Sequence, residues 1–440
     1  MPRKAAKNTI HRSDSSDSNE SGERSLAANG AGPGRAAPPI ATLAPTLAPA
    51  PAPDWRKANA AQLAAGLRDI RCRTLQVFDA YVAAGALHVP YKEELNPPLW
   101  ELGHLGWYQE FWIGRNTQRS VGLRYTDAVP RMPSLQAHSD SWYDSSTVSH
   151  ASRWHLPLLD ADACKAYLAA TLKQTLALLA AAAPSDDAVY FYRLVLLHEA
   201  MHLEAAVYMA QALGVPLGHL PDTINTIAGR AGITCSTGQL SIQNTAWTLG
   251  SSACSGFVFD NELGAQTVQL AAFDIDAQPV TWGAYLAYVR GAGCALPRYV
   301  RLAAGVAQGP IAYEQQVFGQ WQTVDLQQSA VHLCYADVLA YCAHVGRRLP
   351  TEAQWECAAM TQAGFAWGDV WEWTATTFAP LPGFIAHPYR DYSEPWFHTR
   401  PVLRGACTAT QPMLRSPKYR NYFMPQRTDI YAGFRTCSMQ

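Results

Sequence analysis

What this chain lacks narrows its class before any motif is read. Its ten cysteines include no C-x-x-C pair, which argues against a zinc cluster of thiolates. Scattered thiols in a chain without an export signal read as mostly reduced, buried residues. Excess charge is also missing: a formal charge of -1 at pH 7 gives no reason to expect nucleic acid or an anionic membrane as partner. No apolar run reaches the ~20 residues of a membrane span. The opening "MPRKAAKNTIHRSDSSDSNESGERS" lacks the apolar core of a secretory signal, and Asp14, Asp17, Glu20 and Glu23 argue against a transit peptide. The expected location is the cytoplasm.

What is present is a chain of 440 residues, 48% of them apolar, long enough for about two or three domains with sizeable cores. Residues 1–54 are Ser/Asp-rich and then Ala/Pro-rich ("APPIATLAPTLAPAPAPDW"). They offer too little apolar surface to offset ordering entropy, and a disordered tail is expected. Residues 55–220 read as helical. "NAAQLAAGLRDIRCRTLQVFDAYVAA", "NPPLWELGHLGWYQEFWIGR", "DADACKAYLAATLKQTLALLAAAA" and "DAVYFYRLVLLHEAMHLEAAVYMAQALG" place apolar residues at three- and four-residue spacing, the second after a Pro-Pro start and the last before a glycine cap. Four such helices predict a four-helix bundle. Residues 221–440 differ in texture: short β-prone runs ("AWTLGS", "GFVFDNE", "QTVQLAAFDIDAQPVT") and two brief helical stretches ("WGAYLAYVRGAG", "YADVLAYCAHVG") precede a mostly loop-like last hundred residues. The predicted fold class is an α bundle followed by an irregular α+β domain.

The helical part holds the chemistry. "LLHEAMHLEA" contains H-E-x-x-H, so His198 and His202 lie one helical turn apart and can converge on one cation. In a zinc protease Glu199 would be the general base. The extended protease motif, however, needs glycine and histidine where this chain has Ala205 and Tyr208. The variant with a distant glutamate ligand stays compatible with the spacing. A third ligand is offered by His104 in "LWELGHLGWYQEFW", with Trp100, Leu105 and Trp107 placed to form a dry wall around it.

With Glu204 the pair reads H-x3-H-x-E, and with "PPLWELGH" it resembles the DinB-type bundle of the ergothioneine-biosynthesis sulfoxide synthases, the EgtB-like enzymes. "FVFDNE", "FDIDAQPVT", "GRRLPTEAQWECAA", "VWEWTATTF" and "VLRGA…YRNYFMPQRTDIYAGFR" resemble, in order, the formylglycine-generating-enzyme/sulfatase-modifying-factor fold, a relative of C-type lectins. The resemblance implies iron(II) held by His104, His198 and His202, with Glu204 orienting a ligand from behind and positions left open for two substrates and O2. The implied reaction joins a chalcogen to the imidazole carbon between the ring nitrogens of hercynine. Tyr389 and Tyr392, in "HPYRDYSEPWF", fall where the family carries its active-site tyrosines, and spacing does not choose between them.

The departures from the family pattern lie in the substrate pocket. Met201 stands where a glutamine usually contacts hercynine. Arg420, Asn421, Tyr422 and Phe423 replace R-N-W-D, whose aspartate helps hold the amino-acid end of a γ-glutamylcysteine or cysteine donor, while Arg427 is kept. A loop that often carries two arginines has His150 and Arg153. Phenylalanine cannot pair with an ammonium, and losing an arginine weakens a carboxylate clamp. Asn421 and Tyr422 still suit a trimethylammonium group. Within the family these changes point to the selenoneine synthases, whose donor is a selenosugar; Phe423, Trp396 and Trp154 offer aromatic faces for a sugar. The alternatives are an ergothioneine-type synthase using γ-glutamylcysteine or cysteine, a zinc-dependent DinB-type thiol transferase or hydrolase, and a binding module without turnover.

Overall fold

The computed structural model describes residues 54–218, 238–253, 256–303 and 311–439; the expected tail, Asp54 apart, and the expected boundary at 220/221 lie outside the described residues. A capping box opens the first helix: Asn59 accepts from the Gln62 amide at 3.0 Å, and Gln62 accepts from the Asn59 amide at 2.9 Å. This helix, α1 (Ala60–Ala83), buries Leu63, Leu67, Ile70 and Val77 on the predicted repeat. α2 (Pro98–Gln109) starts on Pro97–Pro98, where the missing N–H is no loss, and runs on as a π-turn over Glu110–Gly114. A short α3 (Ser139–Tyr143) leads to α4 (Ala161–Ala180) and α5 (Asp186–Leu213), N-capped by Asp160 and Ser185. Gly214 ends α5 with φ 70°, a left-handed conformation that glycine adopts without strain. The bundle expected from the periodicity is α1, α2, α4 and α5, with α1 packed on α5 and α2 on α4.

The second half is built from small sheets. β1 (Gln239–Ile242), β2 (Thr245–Leu249), β3 (Gln266–Leu270) and β4 (Phe273–Asp276) form two antiparallel pairs, β1–β4 and β2–β3. After α6 (Trp282–Ala292) come β5 (Val300–Leu302), β6 (Tyr313–Val317) and β7 (Gln320–Thr323), again antiparallel. α7 (Tyr335–His344) and α8 (Glu352–Thr361) precede β8 (Trp371–Thr377), β9 (Pro401–Gly405), β10 (Asn421–Tyr422) and β11 (Ala432–Gly433). These last four form one sheet in the order β10-β9-β8-β11, with β11 parallel to β8. No helix of the described residues is long and apolar enough to cross a membrane.

One expectation needs correction. "GFVFDNE" forms no strand: Asp260–Glu262 is a buried 3-10 turn, pinned where Arg56 forks onto the Glu262 carboxylate. The last hundred residues are mostly loop-like, as expected, yet they hold regular elements that the composition did not announce. α8 is opened by a Thr351/Gln354 capping box, and β9 is buried along its whole length. A strand buried on both faces shows no polar alternation, so its period is invisible in sequence.

The halves meet along α5. Gln211 donates to the Gln316 carbonyl and accepts from the Phe318 amide, both at 2.8 Å, and Tyr190 bonds His387 Nδ1 at 2.9 Å. Deeper in the second half, Arg435 forks onto Glu372 at 2.5 and 2.8 Å, both side chains being fully buried. Arg435→Met would leave that carboxylate with the Trp355 indole N–H at 2.9 Å but no cation. The expected loss is about 3–5 kcal/mol in urea unfolding, and Arg435→Met with Glu372→Leu should recover most of it. A single mutant as stable as the wild type would show the pair to be dispensable.

Candidate metal centre

Three imidazoles, His104 from α2 and His198 and His202 from α5, present nitrogen atoms that all lie within 4.8 Å of one another. Their ring centroids are 5.2 Å (His104–His198), 4.9 Å (His104–His202) and 4.4 Å (His198–His202) apart. Two of the rings are held from behind. His104 Nδ1 lies 2.7 Å from the Tyr143 carbonyl at the end of α3, one of the acceptors that a helix terminus leaves without an intrahelical donor. His202 Nδ1 lies 2.5 Å from Glu101 on α2. Both acceptors require an Nδ1–H, which leaves the Nε2 lone pairs of His104 and His202 free for a metal. His198 Nε2 is buried and has no hydrogen-bond partner. A buried nitrogen without a donor, beside two bare ones, fits a borderline divalent cation of the iron or zinc type.

The surroundings of His104 and His198 favour their neutral forms. Burial, helped by the charge of His202, pushes His104 down to about 3, and burial also holds His198 well below the usual histidine range. Burial alone would raise Glu101, but His202 and its hydrogen bond bring that carboxyl to about 2. Trp100 and Trp107 flank the His104 ring, at 4.8 and 5.6 Å, and Tyr108 stacks on His198 at 3.4 Å. This is the dry wall that Trp100 and Trp107 suggested.

Glu199, the apparent protease base, is consumed elsewhere. Arg71 binds both of its oxygens, at 2.8 and 3.0 Å, in the bundle core. The H-E-x-x-H string is thus half candidate ligand pair and half structural ion pair.

Comparison with known proteins places this arrangement. Residues 66–209 match the DinB superfamily, and residues 230–369 match the sulfatase-modifying factor enzyme 1-like domain. Hercynine oxygenase of Mycolicibacterium smegmatis is 30% identical over 413 residues, covering 79% of this chain and 92% of the relative. The hercynine oxygenase of Mycobacterium tuberculosis is 30% identical over 435 residues, covering 85% of this chain and 98% of the relative. The chain belongs to the EgtB-like family. A formylglycine-generating enzyme of Streptomyces coelicolor is 28% identical over 159 residues, 30% of this chain and 51% of that protein. The DinB-type bundle followed by a formylglycine-generating-enzyme-like domain is the order that the motifs led us to expect.

The other residues singled out in this family's pattern fall into two groups. Tyr389 comes within 5.8 Å of His198 and 5.1 Å of Tyr108, ring to ring, and burial raises its phenol. Tyr392 is one step further out: its hydroxyl donates to Tyr419 at 2.9 Å, and Tyr419 donates to the sulfur of Met201 at 3.2 Å. Arg153 packs over Trp100 at 3.8 Å and donates to Asn96 at 2.8 Å, and its Nε is buried without a partner. Its neighbours are tied down, His150 to the Leu95 carbonyl at 2.7 Å and the Trp154 indole to the Val89 carbonyl at 2.8 Å.

The second group stands apart from the imidazoles. Among the described residues no ring contact joins Phe423, Tyr422 or Trp396 to the three histidines. Tyr422 stacks on Phe378 at 4.1 Å, next to Asn421 on β10; Phe423 packs near Tyr208; and Trp396 lies at the surface under Arg400. Arg427 is neutralised by Asp429 at 2.5 Å.

Glu204 was expected to orient a ligand histidine. It instead accepts from the Trp371 indole at 2.7 Å and from the Tyr208 hydroxyl, at the junction between the halves. Its side chain serves that junction, and the carboxylate behind a ligand is that of Glu101. Sequence reasoning missed Glu101 and Tyr108. Their signal was present as spacing on one helix face, E-x-x-H before His104 and H-x-x-x-Y after it.

Glu101→Gln keeps the shape but removes the charge behind His202. It should weaken divalent metal binding about 10–100-fold in a chelator competition, whereas Glu204→Gln should change it far less. Equal losses would give Glu204 the role we assign to Glu101.

Proposed function

We propose that this chain is an iron(II)-dependent, O2-consuming oxidoreductase that forms a C–Se bond between hercynine and a selenosugar, giving selenoneine. The observation that carries the reading is the cluster of three imidazoles, two buried and one half-buried, whose nitrogens converge, in a chain whose relatives are named hercynine oxygenases. Bound iron(II) would supply an electron-rich centre able to activate O2 next to a soft chalcogen donor.

The chain's own residues would bind, orient and donate protons. His104, His198 and His202 hold the metal; Trp100, Trp107 and Tyr108 keep water from it. Tyr389, kept protonated by burial, has its ring near His198 and can deliver the phenolic proton to the reacting centre. Tyr392, tied to Tyr419, supports that loop. Arg153 offers its unpartnered Nε to an acceptor on hercynine or the donor. Asn421 and Tyr422 border the trimethylammonium group, and Met201 replaces a polar contact with a soft one.

The selenosugar reading is supported by what these family positions fail to offer a zwitterionic thiol. Phe423 carries no charge, Arg427 is spent on Asp429, and His150 is spent on a backbone carbonyl. Trp154 and Trp396 add faces of the kind that bind sugars. The second reading, a sulfoxide synthase using γ-glutamylcysteine or cysteine, is favoured by the relatives' name and by the free edge of Arg153.

A competition assay decides between them: the iron-reconstituted protein receives hercynine with equal selenosugar and γ-glutamylcysteine, and products are scored by mass. We expect selenium-containing product to dominate; predominance of the γ-glutamylcysteinyl sulfoxide would sink the selenosugar assignment. For the phenol, Tyr389→Phe should slow bond formation about 10²–10⁴-fold with metal and hercynine still bound, and Tyr392→Phe should do much less. Wild-type rates in Tyr389→Phe would remove it from the chemistry.

A further inference from the structure

Behind the ligand shell, between α1, α2 and α5, lies a cavity of about 30 Å³. Its walls are mostly apolar, with Val77, Phe78, Leu105, Leu203 and Met209 among them, yet it also touches His202 and Glu101. About 10–15 Å³ is enough to seat one water, so a diatomic molecule fits. Water is poorly served there, because it needs about two to four polar partners. The Tyr81 hydroxyl on the wall is donated to the Ala206 carbonyl at 2.6 Å. Glu101 has one oxygen on His202 and the other on Asn96. Among the wall hydroxyls, that of Thr74 alone has no partner. Beyond that oxygen the side chains leave a water only the remaining lone pairs of Glu101 and Tyr81, in walls that are otherwise mostly apolar, so an apolar guest is the better match.

We infer that this cavity is a holding site for an apolar gas, and that the gas is O2 on its way to the metal centre. The identity of the gas rests on the O2 chemistry proposed above; the apolar lining of the cavity does not. A molecule held here lies on the Nδ1 side of His202, one imidazole from the metal-binding face. An apolar diatomic partitions into such a space, which polar substrates would not enter. The cavity thus separates the gas from the route taken by two polar substrates.

The test uses xenon as the probe and the full chain. Crystals under xenon pressure should show the atom between Val77 and Met209. Val77→Phe, on α1 and away from the ligands, should abolish that site and raise KM for O2 about fivefold, leaving kcat at saturating O2 and hercynine affinity unchanged. Should Val77→Phe fail to fold, Val77→Leu gives the same change on a smaller scale. Thr74→Val should keep both the xenon site and KM for O2. Ordered water in place of xenon, or a filled cavity with unchanged KM for O2, would overturn the inference. If the iron-loaded wild type consumes no O2 with any donor, the function proposed above fails, while the xenon site still answers whether an apolar gas binds.

Discussion

The hydrogen bond from His202 Nδ1 to Glu101 ends a chain that begins at Arg153 and passes through Asn96, and the cluster of three imidazoles is arranged around it. A carboxylate with so little exposure costs free energy to bury, and three neighbours offset that cost: the imidazole, the Asn96 amide and the charge of Arg153. Its place in the first turn of α2 adds the favourable end of the helix dipole. Pro97–Pro98 sets where that turn starts, and so sets the face on which Glu101 and His104 stand. A start one residue later would turn both by about 100°.

Much of this was readable in the residues. Helical periodicity gave the four bundle helices, and the H-x3-H spacing with a dry-walled His104 gave the three imidazoles that the fold brings together. What was not readable depended on partners distant in sequence. Nothing near Glu199 announces Arg71, 128 residues away, and nothing in H-x-E announces that Glu204 faces Trp371. Glu101 was visible as a spacing, but a glutamate in a first helical turn has an ordinary explanation as a dipole partner. The buried strand β9 escaped because a strand without a wet face has no alternation to read.

The two carboxylates of the H-E-x-x-H-x-E stretch therefore divide the labour of α5. Glu199 ties α5 to α1 inside the bundle, and Glu204 ties it to β8 across the junction. Both fix the roll of the helix about its axis, and that roll aims His198 and His202. Packing energy spent on two unrelated interfaces thus yields one property, the direction of two imidazoles.

Because α5 belongs to both halves, the chain offers few places where relatives could be recombined. A crossover between α4 and α5 would give Glu101 and His202 to different parents. A crossover after α5 would part Glu204, Tyr190 and Gln211 from Trp371, His387 and the β6–β7 turn that receive them. The stretch from α1 to β11 is in this sense a single block of inheritance, although two folds can be recognised within it.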